Sequence, residues 1–265
     1  MQRRKTSAER KQAIYGFQMV GGSHNFYALL EFDITSLRSL LREARTRGAG
    51  GSLFAFLLKA IGASLAAHPE LNAMIDLKRT TTFEDVDIAI PIEIVHEGAW
   101  STKQHVIRNI NAKKLKEVDA EIAGAKRNEE GRTGFASPLI QRILAFLPRA
   151  LVLFLFRSVL KNHAKVAELS GTVFVTSVSM FSNIPGYIIP YSGGPKAVSF
   201  AIGTSMKKPV VKDDQIAVRE MLNVTVIFNH DAVDGAPAAR FLNRLRKYIE
   251  VEYRSLLDGM EIEGA

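Results

Sequence analysis

The sequence contains no cysteine. That excludes disulfide frameworks, cysteine-ligated zinc and a cysteine nucleophile together, and it is compatible with a reducing compartment. Acidic residues are the minority charge: 27 Asp and Glu stand against 35 Lys and Arg, a net +8. The excess favours anionic partners, but the basic residues are scattered and not interleaved with aromatics, so nucleic acid is not an expected partner. No apolar stretch follows the basic start Met1-Gln2-Arg3-Arg4-Lys5. This start is therefore not a secretory signal, and the cytoplasm is the expected location. Three motifs are also missing: the Gly-x-Ser-x-Gly elbow, the Gly-x-x-x-x-Gly-Lys phosphate loop and the His-Glu-x-x-His pair. A serine hydrolase of that type, a P-loop nucleotide hydrolase and a zincin are thereby disfavoured. No metal is expected, and no internal repeat is visible.

What is present is an ordinary globular composition. The chain has 265 residues, 47% apolar and 23% charged, enough for a sizeable core without staples. Residues 1–25 form a basic arm, and residues 26–265 read as one mixed α/β domain. Phe26 to Ile34 has strand character. Thr35 or Ser36 can cap a helix to about Thr46, with Leu37, Leu40 and Leu41 on one face. Gly48 to Gly51 break that helix, and Ser52 caps a more apolar one that Pro69 stops. Val86 to Ile94 alternates as a half-buried strand should. Val106 to Ile110 is a further expected strand, followed by a charged helix from about Ala112 to Asn128. Gly171 to Ser179 is β-rich. Ala197–Gly203 and Leu222–Asn229 are β-branched apolar runs expected at the centre of a sheet. A helix is expected from about Pro237 to Leu257.

One segment stands apart, an apolar helical insertion at about 130–168 whose core is 138–160. Its length would suit a membrane span, yet Arg142, Arg149 and Arg157 recur through it and Pro148 divides it. Each arginine would cost roughly 2.5–3.5 kcal/mol at a helix centre, so two amphipathic helices joined at Pro148 are expected. Such a pair can pack on the core or an oligomer face, cover a channel, hold an acyl chain, or contact a membrane surface through 138–160.

The chemistry-bearing feature is the segment Asn229-His230-Asp231-Ala232-Val233-Asp234-Gly235. Here a buried strand ends in a histidine, and a turn leads into a helix. An unperturbed imidazole, with a pKa of about 6.5, suits a general base near neutrality. Asp234, four residues on, is placed to brace the turn, and Gly235 to ease a tight exit. Spacing alone does not separate such a base from a structural histidine. His24, His68, His96, His105 and His163 are dispersed and read as structural or surface residues.

The surroundings of His230 separate it. His230 through Leu242 resembles the catalytic signature of the acyltransferase component of 2-oxoacid dehydrogenase complexes, His-x-x-x-Asp-Gly followed by Ala-x-x-Ala-Arg-Phe. The core of that signature also occurs in chloramphenicol acetyltransferases and, more distantly, in condensation domains. Further landmarks resemble the family in its order: Pro69-Glu70-Leu71-Asn72-Ala73, Asp85 to Ile90, Val106-Ile107-Arg108, Gly171-Thr172-Val173-Phe174, Pro195-Lys196-Ala197-Val198 and Lys208-Pro209-Val210-Val211. The resemblance implies a chloramphenicol acetyltransferase-like fold, a mixed β-sheet flanked by helices. It implies acyl transfer between a coenzyme A thioester and an acceptor by direct attack, with His230 as general base. It also implies an oxyanion-binding serine after the Gly-Gly-Thr-Phe strand, which alignment places at Ser177, with Ser179 as the rival. In the family the histidine and serine meet across a subunit boundary, so a homotrimer or a multiple of trimers is implied.

The chain also departs from the family. Only about 25 residues precede the catalytic region, so no lipoyl arm is expected on this chain, and a lipoyl group would come from a separate protein. The family's Asp-His-Arg is Asn229-His230-Asp231 here, and an acid beside the base would raise the histidine pKa. The family's Thr-Pro-x-Gly-Leu region, which helps shape the substrate channel, is replaced by Ile94 to Thr102, so a different acceptor is expected. The alternative to an active enzyme is an inactive trimeric scaffold or binding protein of the same fold.

Overall fold

The β-branched runs anchor the architecture. In the computed structural model, which describes residues 14, 17–18, 23–47, 51–96, 99–127, 147–178 and 185–257, six strands form one mixed sheet. They are β1 (Asn25–Asp33), β4 (Ile88–His96), β5 (Ala99–Ile107), β6 (Val173–Ser177), β7 (Val198–Lys212) and β8 (Gln215–Asn229). Their order is β1-β8-β7-β6-β4-β5. β6 runs parallel to both β4 and β7, and the other neighbours are antiparallel. A small hairpin, β2 (Ala73–Ile75) with β3 (Thr80–Thr82), stands beside the sheet.

The expected central runs, 197–203 and 222–229, are the inner halves of 15-residue strands. Their outer halves continue to a two-residue turn at Asp213 and Asp214, with φ of 50° and 58°. That left-handed pair is the hairpin geometry matching strand twist, and aspartate tolerates it better than most residues. Pro91 fits within β4 because the pairing with β6 stops at Ala89, so no ladder donor is missing on that side.

The helices are α1 (Thr35–Thr46), α2 (Leu53–Ala66), α3 (Leu115–Arg127), α4 (Arg149–Leu160), α5 (His163–Ser170) and α6 (Gly235–Glu250). Ser52 caps α2 as expected, its hydroxyl accepting from the Ala55 amide at 3.1 Å. The cap of α1 differs: the Asp33 carboxylate accepts from both the amide and the hydroxyl of Thr35. The acid two residues before Thr35 takes the place of the two hydroxyl residues at this helix start. Residues 112–114 form a turn, so α3 starts later than expected. The expected strand at 106–110 is instead the end of β5, which stops at Ile107 before a left-handed Asn109. The last helix ends at Glu250, and a short 3-10 turn, Tyr253–Leu256, follows.

Leu222, Val224, Val226 and Phe228 of β8 share one core with α1, α2, α3 and α6. Phe241 of α6 sets its ring edge-on to Phe228, centroids 6.3 Å apart. Both rings are fully buried. This contact fixes the two ends of the loop carrying His230, since β8 enters it and α6 leaves it. The alternate β8 residues, Asn223, Thr225, Ile227 and Asn229, face the other side of the sheet. There the segment 185–195 crosses, and Asn223 donates to the Gly186 carbonyl at 3.1 Å. On that same side Tyr27 and Leu29 of β1 remain exposed.

Candidate active site

Asn229 builds the turn that presents the histidine. It is buried, and its amide donates to the Ala197 carbonyl at 2.9 Å, closing the strand. Its side-chain oxygen accepts from the Asp231 amide at 3.1 Å. Its carbonyl accepts from the amides of Ala232 and Val233, each at 3.0 Å. One small amide residue thus turns the chain through local hydrogen bonds, as Asn and Asp do in Asx-turns.

His230 is held by its backbone and one ring face. Its amide donates to the His24 carbonyl at 2.7 Å. Its ring lies 5.0 Å from that of Phe26, which in turn stacks on Phe228. The rest of the imidazole is open, with the side chain 55% exposed. A reagent can therefore reach the ring without any rearrangement of the strand.

Asp234 precedes α6 and approaches the imidazole. Its carboxylate lies 3.6 Å from His230 Nδ1, beyond hydrogen-bond range. It makes no side-chain cap to its own helix. This geometry places an acceptor beside Nδ1 of a half-exposed ring. Gly235 differs from its expected role. A Cβ there would meet nothing within 4 Å, so neither close packing nor a left-handed backbone requires glycine within this chain.

Asp231 also departs from a simple neighbour of the base. Its carboxylate pairs with Nδ1 of His24 at 2.8 Å. The side chains are 81% and 45% exposed for His24 and Asp231. His24, expected among the structural or surface histidines, stands at the site, contributing its carbonyl to His230 and its ring to Asp231. A contact across 207 positions has no local signature, although both residues abut the ends of paired strands.

The structure does not bring Ser177 to His230 within one chain. Ser177 ends β6 and pairs with Ile202, which pairs with Val224. His230 lies six positions beyond Val224, about 20 Å at strand rise, and two strands over adds roughly 10 Å. Ser179 lies outside the described residues.

A charged cluster occupies the same sheet end as His230. Arg108 bonds the Asp87 carboxylate at 2.6 Å and the Ala167 carbonyl at 2.9 Å. The other Asp87 oxygen accepts from the Asn109 amide. Gly171, with φ of 65°, passes so close that a Cβ would meet the Asp87 carbonyl at 2.5 Å. Lys196 donates to the Ser170 carbonyl. Burial, reinforced by Arg108 and partly offset by Asp87, lowers its pKa to about 7. Two landmarks quoted from the sequence, Asp85 to Ile90 and Val106-Ile107-Arg108, thus meet as a structural clamp.

The family model for 2-oxoacid dehydrogenases acyltransferase (catalytic domain) matches residues 9–136 and 155–257. The lipoamide acyltransferase component of the branched-chain alpha-keto acid dehydrogenase complex of Bacillus subtilis is 25% identical over 232 residues. That alignment covers 84% of this chain and 46% of the relative, so the chain spans about half the length of the curated relatives it matches. Among solved structures, the cubic core of the pyruvate dehydrogenase multienzyme complex superposes with a TM-score of 0.68 at 19% identity, covering 97% of this chain and 93% of that one. A dihydrolipoamide acetyltransferase from Azotobacter vinelandii gives 0.68 at 17% identity, with 97% and 94% covered. A chloramphenicol acetyltransferase gives 0.53 at 15%, with 93% and 99% covered. The expected fold, a mixed sheet flanked by helices, is the one these structures share.

Proposed function

The chain belongs to the 2-oxoacid dehydrogenase acyltransferase (catalytic domain) family, and from that premise we propose that it transfers an acyl group between a coenzyme A thioester and a second acceptor by direct attack. The observation that carries this reading is His230, held at a strand end by its backbone with its ring open. In the proposed mechanism, Asp234 tightens onto Nδ1–H, so Nε2 is unprotonated and faces the reactants. Nε2 takes the proton from an acceptor thiol, hydroxyl or amine as that atom attacks the thioester carbonyl. The tetrahedral intermediate collapses, the C–S bond breaks, and His230 returns the proton to the departing coenzyme A sulfur.

The intermediate carries a negative oxygen, and the proposed donor to it is the Ser177 hydroxyl of a neighbouring subunit. Removing one such donor costs about 2.7–4 kcal/mol. The separation of Ser177 from His230 within one chain supports a shared site, and the exposed Tyr27 and Leu29 supply apolar surface for a second copy. A trimer or a multiple of trimers is the assembly we propose, in keeping with the cubic core to which the chain is similar. The study of the Azotobacter vinelandii enzyme concerned a serine, a histidine and an asparagine four positions after that histidine, the spacing of His230 and Asp234. The open space at Gly235 would admit a substrate beside the base.

The test is thiol release from a panel of acyl-coenzyme A thioesters, offered with acceptors that include a dihydrolipoyl protein. His230→Ala is expected to lower the rate by roughly 10²–10⁴-fold. Absence of any His230-dependent release across the panel would sink the enzyme reading and leave an inactive scaffold of the same fold.

A further inference from the structure

Helix α4 presents an apolar stripe to solvent. Leu151, Phe154, Leu155 and Val159 are all exposed, Phe154 at 65%. They fall at i, i+3, i+4 and i+8, with exposed Ser158 at i+7, one continuous face of a helix. Val152, by contrast, is buried and anchors the helix. An exposed apolar face of this kind marks a contact surface when it is rimmed by charge.

The rim is mostly basic. Among the described residues from 147 to 167 there is no Asp or Glu, and Arg157, Lys161 and Lys165 lie on and just after α4. Arg157 and Lys161 are both exposed. The β2–β3 hairpin is tied to the same end of the helix, because Arg79 donates to the Lys161 carbonyl. Its tip carries the fully exposed Leu77 between Asp76, which pairs with Arg79, and Lys78. An apolar stripe beside a predominantly basic rim complements an anionic lipid surface.

We propose that this face docks on an anionic membrane surface, with α4 lying in the plane of the headgroups. The geometry disfavours the other occupants. A helix of 12 residues is about 18 Å long against the ~30 Å of a hydrocarbon core, and among the described residues no helix is long and apolar enough to cross a membrane. The stripe is the outside of a helix rather than a groove, so it has no walls to enclose a single acyl chain. A second copy meeting it symmetrically would bring like charges together. The inference is independent of acyl transfer, and α4 straddles the end of the stretch 137–154 that the family match omits.

Flotation of the full chain tests it, with phosphatidylcholine vesicles prepared with and without phosphatidylglycerol. Binding is expected only to the anionic vesicles. Phe154→Glu should weaken it by about tenfold or more. Arg157→Glu with Lys161→Glu should weaken it by roughly fivefold per charge. Thermal unfolding checks that each variant folds, and if Phe154→Glu does not, the two exposed charge reversals carry the test. Equal binding to neutral vesicles would overturn the proposal. So would flotation that the variants leave unchanged, or a loss of oligomer mass on Phe154→Glu, which would assign the stripe to a second copy.

Discussion

His230 and Ser177 both sit at the C-terminal end of a strand, yet those ends point in opposite directions. β6 runs parallel to β7 and β8 runs antiparallel to it. One chain therefore places its histidine towards one end of the sheet and its serine towards the other. The histidine end is finished within the chain: Asn229 shapes the loop, His24 holds the backbone, and Phe26 seats the ring. The serine end carries the Ser177 hydroxyl at the close of β6, four pairs from the start of β7. Strand direction, not loop detail, sets the two residues apart within one chain, which is why the proposed His–Ser pair draws on two chains.

Substitutions can break or sharpen that contrast. The largest effect is expected at the finished end, where His230→Ala should lower kcat by roughly 10²–10⁴-fold with little change in melting temperature. A large loss of stability instead would mean that the ring is structural. Next comes the scaffold beneath it: Phe241→Ala should cost about 3–5 kcal/mol in chemical denaturation, because Phe241 ties α6 to β8. Ser177→Ala should cost about 2.7–4 kcal/mol of transition-state stabilisation, seen in kcat more than in KM. A pure KM effect would assign Ser177 to binding.

Smaller effects are expected from the flanking charges. Lys196 has its pKa lowered by burial to about 7, against about 10.4 in an unfolded chain. Below pH 7 both states carry the charge and the full penalty of burying it is present. Between about pH 7 and 10 the unfolded chain binds the extra proton, so stability should rise with pH. A melting temperature that climbs from pH 7 to pH 9, and a flatter profile for Lys196→Met, would match this. The smallest change is expected from Asp231→Asn. An exposed pair such as His24–Asp231 is worth at most about 1 kcal/mol, so melting should barely move. A shift in the pH profile of kcat would assign the pair a positioning role towards His230.

Much of the histidine end was legible in the sequence because its determinants are local. The run Leu222 to Asn229 marks a buried strand, Ser52 marks a helix start, and the ordered residues from His230 to Leu242 carry the family signature. What was not legible is non-local or two-sided. The outer half of β7, with Lys207, Lys208 and Pro209, is largely exposed and shows no core pattern. β5 begins earlier than its apolar end, Val106-Ile107, suggests. His24 reaches Asp231 only because β1 pairs with β8 along its length. The expectation that Gly235 serves a tight exit failed because helix α6 starts there without any special backbone.

The most direct test of a site divided between chains is complementation. His230→Ala and Ser177→Ala subunits, each inactive alone, are co-expressed with different tags and purified as mixed oligomers. In a trimer, random mixing leaves about a quarter of the sites with both residues intact. The account predicts recovery of about that fraction of the wild-type rate. Mixed oligomers as inactive as either parent would contradict it.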